Sequence, residues 1–414
     1  MDENEMVVAG IDTHKDVHVL CLLDGSGRKI FTSSFAANRQ GYRSLACAIG
    51  DPKQCKIVGV EGTASYGAGL ARHLMSLGYQ VAEVLRPKRD KRRIGTNKND
   101  PEDAERAARD ALAGNGLSTP KSQDGWVEAI RFLQISRKTA VQTSTTAINK
   151  VKALMATAPE DIKSRYSTMG RDAMMRSLRR KRSGTTELER LIYASFRSLA
   201  ILWEESNEQV GALEKEMKNL LELNAPALLD IYGCGPVAAA SLAIAAGDNP
   251  ERMRSEAAFA SLCGVCPIEA SSGKVVRYRL NRGGDRQANS ALYHIAIIRM
   301  RYDEKTMDYM DKRRYEGKST KEALRCLKRY IAKEIFRALL NPYCSSAKRG
   351  SELKAMRIAL ELTQTKVGVA LGVPSARISE IESGARRLPE LEYLYQEWLL
   401  AENEKAPMPV LDKL

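Results

Sequence analysis

The chain has 414 residues, 43% of them hydrophobic, and 65 lysines and arginines against 51 aspartates and glutamates give it a formal net charge of +14. That length and apolar content fit a globular protein of about two to four domains, and they exclude a disordered or fibrous chain. The positive excess makes a polyanion the first partner to consider and a membrane surface the second, because neutralised phosphates release counterions whatever their sequence.

Three strand-like runs open the chain, Met6 to Ile11, His18 to Leu23 and Lys29 to Ser34, with the second joined to the third by the turn Asp24-Gly25-Ser26-Gly27. They read as an antiparallel meander. Next come a strand from Cys55 to Val60, a helix around Gly67 to Leu77 stopped by Gly78, and a strand from Gln80 to Leu85, which form a βαβ unit with parallel pairing. A meander followed by βαβ is the RNase H order, in which the ends of the first and fourth strands are neighbours. Asp12 and Glu61 stand at those ends, where an acidic group is costly unless paired or metal-bound.

Asp100 and Asp103 lie in NDPEDAERAARDAL, a helix start, three residues apart and so on one helix face. Asp100 before Pro101 also reads as an N-cap, with Asp103 completing a capping arrangement, so this pair has a purely structural reading too. Four carboxylates so placed suit Mg²⁺ or another hard divalent ion, and two such ions can clamp the attacking and leaving oxygens of a phosphodiester. The stretch RPKRDKRRIGTNK leads into them. Its Arg86, Lys88, Arg89, Lys91, Arg92, Arg93 and Lys98, against the single acid Asp90, are read as nucleic-acid-binding residues that hold a backbone over the carboxylates.

From Trp126 to about Leu223 the sequence is helical almost throughout, with heptad-like stretches that suggest a helical hairpin or coiled coil and dimerisation. Met169-Gly170 and the basic run Arg179 to Arg182 mark its tip or a turn. Gly233-Cys234-Gly235, between two apolar helices, resembles a helix-hairpin-helix turn whose amides can take a phosphate. Downstream, PIEASSGKVVRYRLNRGGD combines a Ser-Ser-Gly turn with Lys274, Arg277, Arg279 and Arg282. The eight cysteines are scattered, and Cys263 and Cys266 form the one CxxC pair; with four histidines in the chain, no zinc set assembles around them. Reduced core thiols are expected.

The order Asp12, Glu61, Asp100-x-x-Asp103, then IYGCGPVAAASLAIAAGD and PIEASSGK…RLNRGGD, resembles the DEDD-motif insertion-sequence transposases of the IS110 type over residues 6 to 340. The resemblance implies a RuvC-like domain, a coiled coil and a second transposase domain with a catalytic serine. By motif that serine is Ser272, with Ser271 its less favoured neighbour. The resemblance also implies a serine recombinase guided by a structured noncoding bridge RNA, acting on DNA as a homodimer that can assemble into a tetramer. Ala288-Asn289 departs from the Leu-Arg pair that the family often carries after the glycine loop.

Residues 353 to 394 add a module that this resemblance does not require. LTQTKVGVALGVPSARISEIESGARRLP resembles a Cro-type helix-turn-helix, with Leu371-Gly372-Val373 as the turn, Ser375, Ala376 and Arg377 approaching base edges, and Gln364 on a phosphate. Eight basic and eight acidic residues balance between Lys348 and Glu402, so it adds little nonspecific affinity, and Glu380 and Glu382 would repel phosphates.

The expected fold is therefore α/β plus all-α. Residues 1–122 form a RuvC-like (RNase H fold) domain, 123–225 a helical coiled-coil region, 226–345 a mainly helical transposase domain, and 346–414 a helix-turn-helix domain and tail. The acidic start MDENEM lacks the basic n-region of a signal peptide, and no apolar run approaches the ~20 residues of a transmembrane helix, which points to the cytoplasm. The expected function is a DNA transposase that cuts and rejoins strands. A RuvC-type metal-dependent nuclease and a noncatalytic DNA-binding regulator are the alternatives.

Overall fold

The computed structural model describes residues 6–84, 100–114, 116–269, 278–279, 281, 283–342, 350–383 and 388–405. The chain divides into two compact units, one of Met1–Glu128 with Ala246–Arg254 and one of Ala129–Ala245 with Ser255–Leu414.

The first unit is built on a six-stranded sheet of β1 (Val7–Thr13), β2 (Val17–Leu23), β3 (Lys29–Ala36), β4 (Cys55–Glu61), β5 (Val81–Val84) and β6 (Leu117–Ser118), in the order β3-β2-β1-β4-β5-β6. The meander pairs antiparallel, and β1–β4 and β4–β5 pair parallel, so the strand order is that of an RNase H-like fold. The anticipated turn forms: Asp24 Oδ1 accepts from the amides of Ser26 and Arg28, and Gly27 takes φ +85°. The first strand runs past Asp12 to Thr13, and the two-residue β6, antiparallel to β5, has no counterpart among the expected elements.

Helices α1 (Arg39–Ile49) and α2 (Ala68–Ser76) cover one face of the sheet, where Ala9, Ile11, Leu20, Leu22, Val58 and Val60 pack with Leu45, Leu70 and Leu74. Helix α3 (Asp100–Ala113) covers the other face. Its buried residues Ala104, Ala107, Ala108 and Ala111 form a stripe of small side chains at i, i+3, i+4 and i+7. Opposite them stand Gly10 and Gly59. A Cβ on Gly10 would lie 2.1 Å from Ala108 N, and one on Gly59 would lie 2.8 Å from Ala107 O. Small residues on both partners thus let the helix backbone settle onto the strands.

Residues 246–254 complete this unit. Asp248 Oδ1 accepts from Val127 N at 2.7 Å, capping the first turn of α4 (Trp126–Ala156), and Asn249 Nδ2 donates to Pro120 O at 3.0 Å.

In the second unit, α4 runs against α7 (Glu187–Asn224). Arg137 Nε donates to Glu214 at 2.7 Å and Ser144 Oγ to Asn207 at 2.9 Å. Seven residues forward on one helix match seven backward on the other, so the pair is antiparallel. The short helices α5 (Glu160–Tyr166) and α6 (Arg171–Leu178) close its far end over Met175, Tyr193 and Phe196. The break at Met169-Gly170 falls between them, as the sequence suggested.

Helices α8 (Pro226–Asp230), α9 (Pro236–Ala246), α10 (Glu256–Leu262), α11 (Arg286–Tyr302), α12 (Glu304–Tyr315) and α13 (Thr320–Leu340) follow, with a two-stranded ribbon of β7 (Ile268–Glu269) and β8 (Tyr278–Arg279). Phe259 stacks on Phe336 at 5.6 Å in their core. Gly284 meets the turn after α10 so closely that a Cβ would lie 2.2 Å from Gly264 N, which fixes the start of α11 against that turn.

The last four helices, α14 (Gly350–Ala359), α15 (Gln364–Leu371), α16 (Ser375–Glu382) and α17 (Pro389–Lys405), form the helix-turn-helix around Leu353, Val367, Ile378, Ile381 and Tyr395. Gly372, at φ +68°, ends α15 in the left-handed conformation that the turn needs. Among the described residues no helix is long and apolar enough to cross a membrane.

Candidate metal and nucleic-acid site

Strand alternation decides which side chains meet α3. Ile11 and Val60 point toward α1 and α2, so Gly10, Asp12, Gly59 and Glu61 point toward α3. The parallel register sets Gly10 beside Gly59 and Ile11 beside Val60, which brings Asp12 and Glu61 together one residue later. Thr13 Oγ1 donates to Glu61 O at 2.7 Å and ties the two strand ends. Asp12 and Glu61 are 2% and 3% exposed, a degree of burial at which a carboxylate needs a partner.

The first turn of α3 brings Asp100 and Asp103 to this place. Two side chains that the sequence reading did not single out complete the site. His14 Nε2 lies 3.0 Å from Asp12 Oδ2 and 3.2 Å from Asp100 Oδ1. The Arg106 guanidinium binds Glu61 through Nη2 and Asp103 through Nη1. Burial pushes the Glu61 carboxyl above its ordinary range; the Arg106 contact pulls it back only in part, and Asp12 and Asp103 add repulsion. For Arg106, burial works against the charge, yet Glu61 and Asp103 hold it above its usual value.

The donor set fits a divalent ion. Asp12, His14 and Asp100 each offer one ligand atom, all within 4.8 Å of one another. For an ion bound at about 2.1 Å in octahedral geometry, adjacent ligands stand about 3 Å apart, close to the separations from His14 to the two carboxylates. Among the described residues, Asp12 Oδ2 and His14 Nε2 are buried and face each other at ion-pair distance without a hydrogen-bond partner, so each has a lone pair it could offer to an ion.

The remaining expected site residues divide sharply. Arg86, Lys88, Arg89, Lys91, Arg92, Arg93 and Lys98 lie outside the described residues, as do Ser271, Ser272, Lys274, Arg277 and Arg282. Arg279 is exposed on β8, paired with Ile268 across the ribbon. Asn289, at the departure from the family pattern, donates to Cys263 O at 2.8 Å and accepts from the buried Lys328 ammonium at 2.7 Å. A basic group therefore does reach this turn, from α13. Burial pushes the Lys328 ammonium below its usual value.

In the helix-turn-helix, Ser375 and Ala376 are exposed at the start of α16, and Arg377 pairs with Glu380 at 2.7 Å. Gln364 Nε2 donates to Glu382 at 2.8 Å, so its amide is engaged inside the domain. Glu382 does not face solvent as a recognition-helix carboxylate would. It is 5% exposed, held by both ends of the Arg357 fork and by Tyr395 Oη at 2.7 Å.

The glycine turn Gly233-Cys234-Gly235 is fixed from below by Arg299, whose Nε donates to Tyr232 O at 2.9 Å and whose Nη2 pairs with Glu334. Every cysteine among the described residues is free. Burial pushes the Cys234 and Cys263 thiols up to about 12, as inert core thiols require, whereas Cys47 is exposed on α1 and departs from the expected core placement.

Three segments of the chain match known families. Residues 9–158 match a family model described as a transposase with the DEDD motif of IS110, residues 225–311 match the transposase IS116/IS110/IS902 family, and residues 353–396 match a helix-turn-helix model. The chain is 33% identical over 154 residues to an uncharacterized 43.6 kDa protein of insertion element IS110 from Streptomyces coelicolor, an alignment that spans 36% of this chain and 38% of that one. It is 27% identical over 315 residues to the transposase for insertion sequence element IS1111A from Coxiella burnetii, spanning 73% of this chain and 80% of that one.

Proposed function

Because the chain carries both transposase domains of the IS110 family followed by a helix-turn-helix domain, we propose that it is a transposase that cuts and rejoins the DNA strands of an insertion element. The observation that supports this reading best is the meeting of Asp12, Glu61, Asp100 and Asp103 where two strand ends lie under α3. These carboxylates, joined by His14, would hold Mg²⁺ or another hard divalent ion. Such an ion supplies positive charge at the scissile phosphate.

The protein's own groups do the rest. Ser272 Oγ attacks phosphorus and forms a serine–phosphate ester, while the displaced bridging oxygen leaves as a DNA hydroxyl carrying the proton. Attack by the hydroxyl of a second strand reverses the step, releases Ser272 and returns its proton, so the phosphodiester is conserved and not lost to water. Arg277, Arg279 and Arg282 offset the charge that gathers on phosphorus. The basic run from Arg86 to Lys98 holds the DNA backbone near Asp100. A structured guide RNA selects the donor and target sequences, and the protein works in the cytoplasm as a homodimer, able to form a tetramer on nucleic acid. The antiparallel α4–α7 pair, with exposed Phe132, Ile135, Leu188 and Leu191, offers apolar surface for self-association. Ser375, Ala376 and Arg377 of the helix-turn-helix meet DNA, within the domain limits given above.

Strand exchange between donor and target duplexes tests this function, with and without RNA transcribed beside the gene. Joined product is expected only with RNA and intact Asp12. Hydrolysed ends with no joined product would favour a RuvC-type nuclease instead.

A further inference from the structure

The four carboxylates are not equivalent. Asp12 and Asp100 face His14, and Glu61 and Asp103 face Arg106. We propose that the cluster is divided into one divalent-ion position, at Asp12, His14 and Asp100, and a second position that the Arg106 guanidinium fills, so that a second ion enters only when Arg106 leaves.

This rests on the metal reading above, and independent features of the site support it. Asp12 Oδ2 is buried, lacks a hydrogen bond and points at His14 and Asp100, which marks the first position as a place for a ligand. At the second position a cation is already present. A guanidinium spanning two carboxylates supplies the charge compensation that a metal ion would otherwise supply there. Arg106 is also imperfectly satisfied, since its buried Nε makes no hydrogen bond among the described residues. A charged N–H left without an acceptor is costly, and among the described residues the ion pairs of Arg106 are the two that an incoming ion would take over.

The chemistry of the two positions differs accordingly. The imidazole nitrogen of His14 makes the first position less strictly oxygen-only than a Mg²⁺ site and shifts it toward Mn²⁺. The second offers carboxylate oxygens alone. With one ion bound, the pair that would grip both the attacking and the leaving oxygen is incomplete. Arg106 therefore holds the free protein below full metal loading.

Mn²⁺ titration of the full chain, followed by electron paramagnetic resonance, tests the division. The wild type should bind one Mn²⁺ tightly, with a nitrogen coupling that disappears in His14→Ala, and a second about tenfold or more weakly. In Arg106→Gln the two ions should bind with similar strength, while Arg106→Lys, which keeps a charge but not the fork, should fall between; circular dichroism confirms that each variant is folded. Two equally tight ions in the wild type, or a single ion in Arg106→Gln, would overturn the division and leave the metal reading standing. No Mn²⁺ bound by the wild type would overturn the metal reading itself.

Discussion

Gly10 and Gly59 lie side by side in the β1–β4 register, and both face the backbone of α3 where a Cβ has no room. That pairing sets how close Asp100 and Asp103 come to Asp12 and Glu61. Gly10→Ala should cost about 2 kcal/mol or more, in the range of overpacked cores, because the nearest atoms are helix backbone and cannot rotate away. Chemical denaturation measures that loss. Mn²⁺ affinity should fall with it, since the carboxylates on α3 move outward.

Glu382→Gln should destabilise the helix-turn-helix by about 3–5 kcal/mol, because it leaves the Arg357 charge buried without its partner. Protease susceptibility of residues 350–405 within the full chain reports the effect. The network should also respond to acid. Burial alone would raise the Glu382 carboxyl, but bonds from Arg357, Tyr395 and Gln364 outweigh it and hold the group below its ordinary 4.5. A depressed carboxyl contributes stability that is complete above that ordinary value and is lost as pH falls through the lower folded value. Protease resistance should therefore be flat from neutrality to about pH 5 and decline below pH 4.5.

Glu380→Gln should strengthen DNA binding. The substitution releases Arg377 from its ion pair and removes a negative charge from the recognition helix. Fluorescence anisotropy on element-end DNA should show the log–log salt slope steepening by about one unit as one more phosphate is neutralised. An unchanged slope would place Arg377 away from the backbone.

Asn289→Leu should cost about 3 kcal/mol or more, since it strips the Cys263 carbonyl of its donor and leaves the Lys328 ammonium buried without an acceptor. Replacing Asn289 and Lys328 together with leucine and methionine should recover part of that loss. A double-mutant denaturation cycle measures the coupling.

Much of this was legible in the chain. The alternating and continuous apolar runs of the meander and βαβ unit specify the sheet, and an acid ending such a run stands out because burial makes it costly. Asp12 and Glu61 could be found that way. His14 left a fainter mark: it lies two residues past Asp12, just beyond the end of β1, and a histidine in a turn has many uses. Arg106, three residues past Asp103, looked like any solvated helix charge. The importance of Gly10 and Gly59 depends on which helix crosses them, and no local pattern carries that. Glu382 misled for the opposite reason. A carboxylate on a recognition helix is expected in water, and only its spacing from Ile378 and Ile381 hinted that it shares their buried face. The basic run was read from its charge and Ser272 from the family's motif, and both lie outside the described residues.

The central claim is that a serine and a carboxylate cluster cut and rejoin DNA through a covalent link. The direct test is to incubate the full chain with element DNA, its candidate RNA and Mg²⁺, and to look on a denaturing gel for protein bound to DNA. A covalent adduct is predicted for the wild type, with the linkage mapping to Ser272 and absent from both Ser272→Ala and Asp12→Asn. DNA cleaved with no adduct at any time, or an adduct that persists in Ser272→Ala, would contradict it.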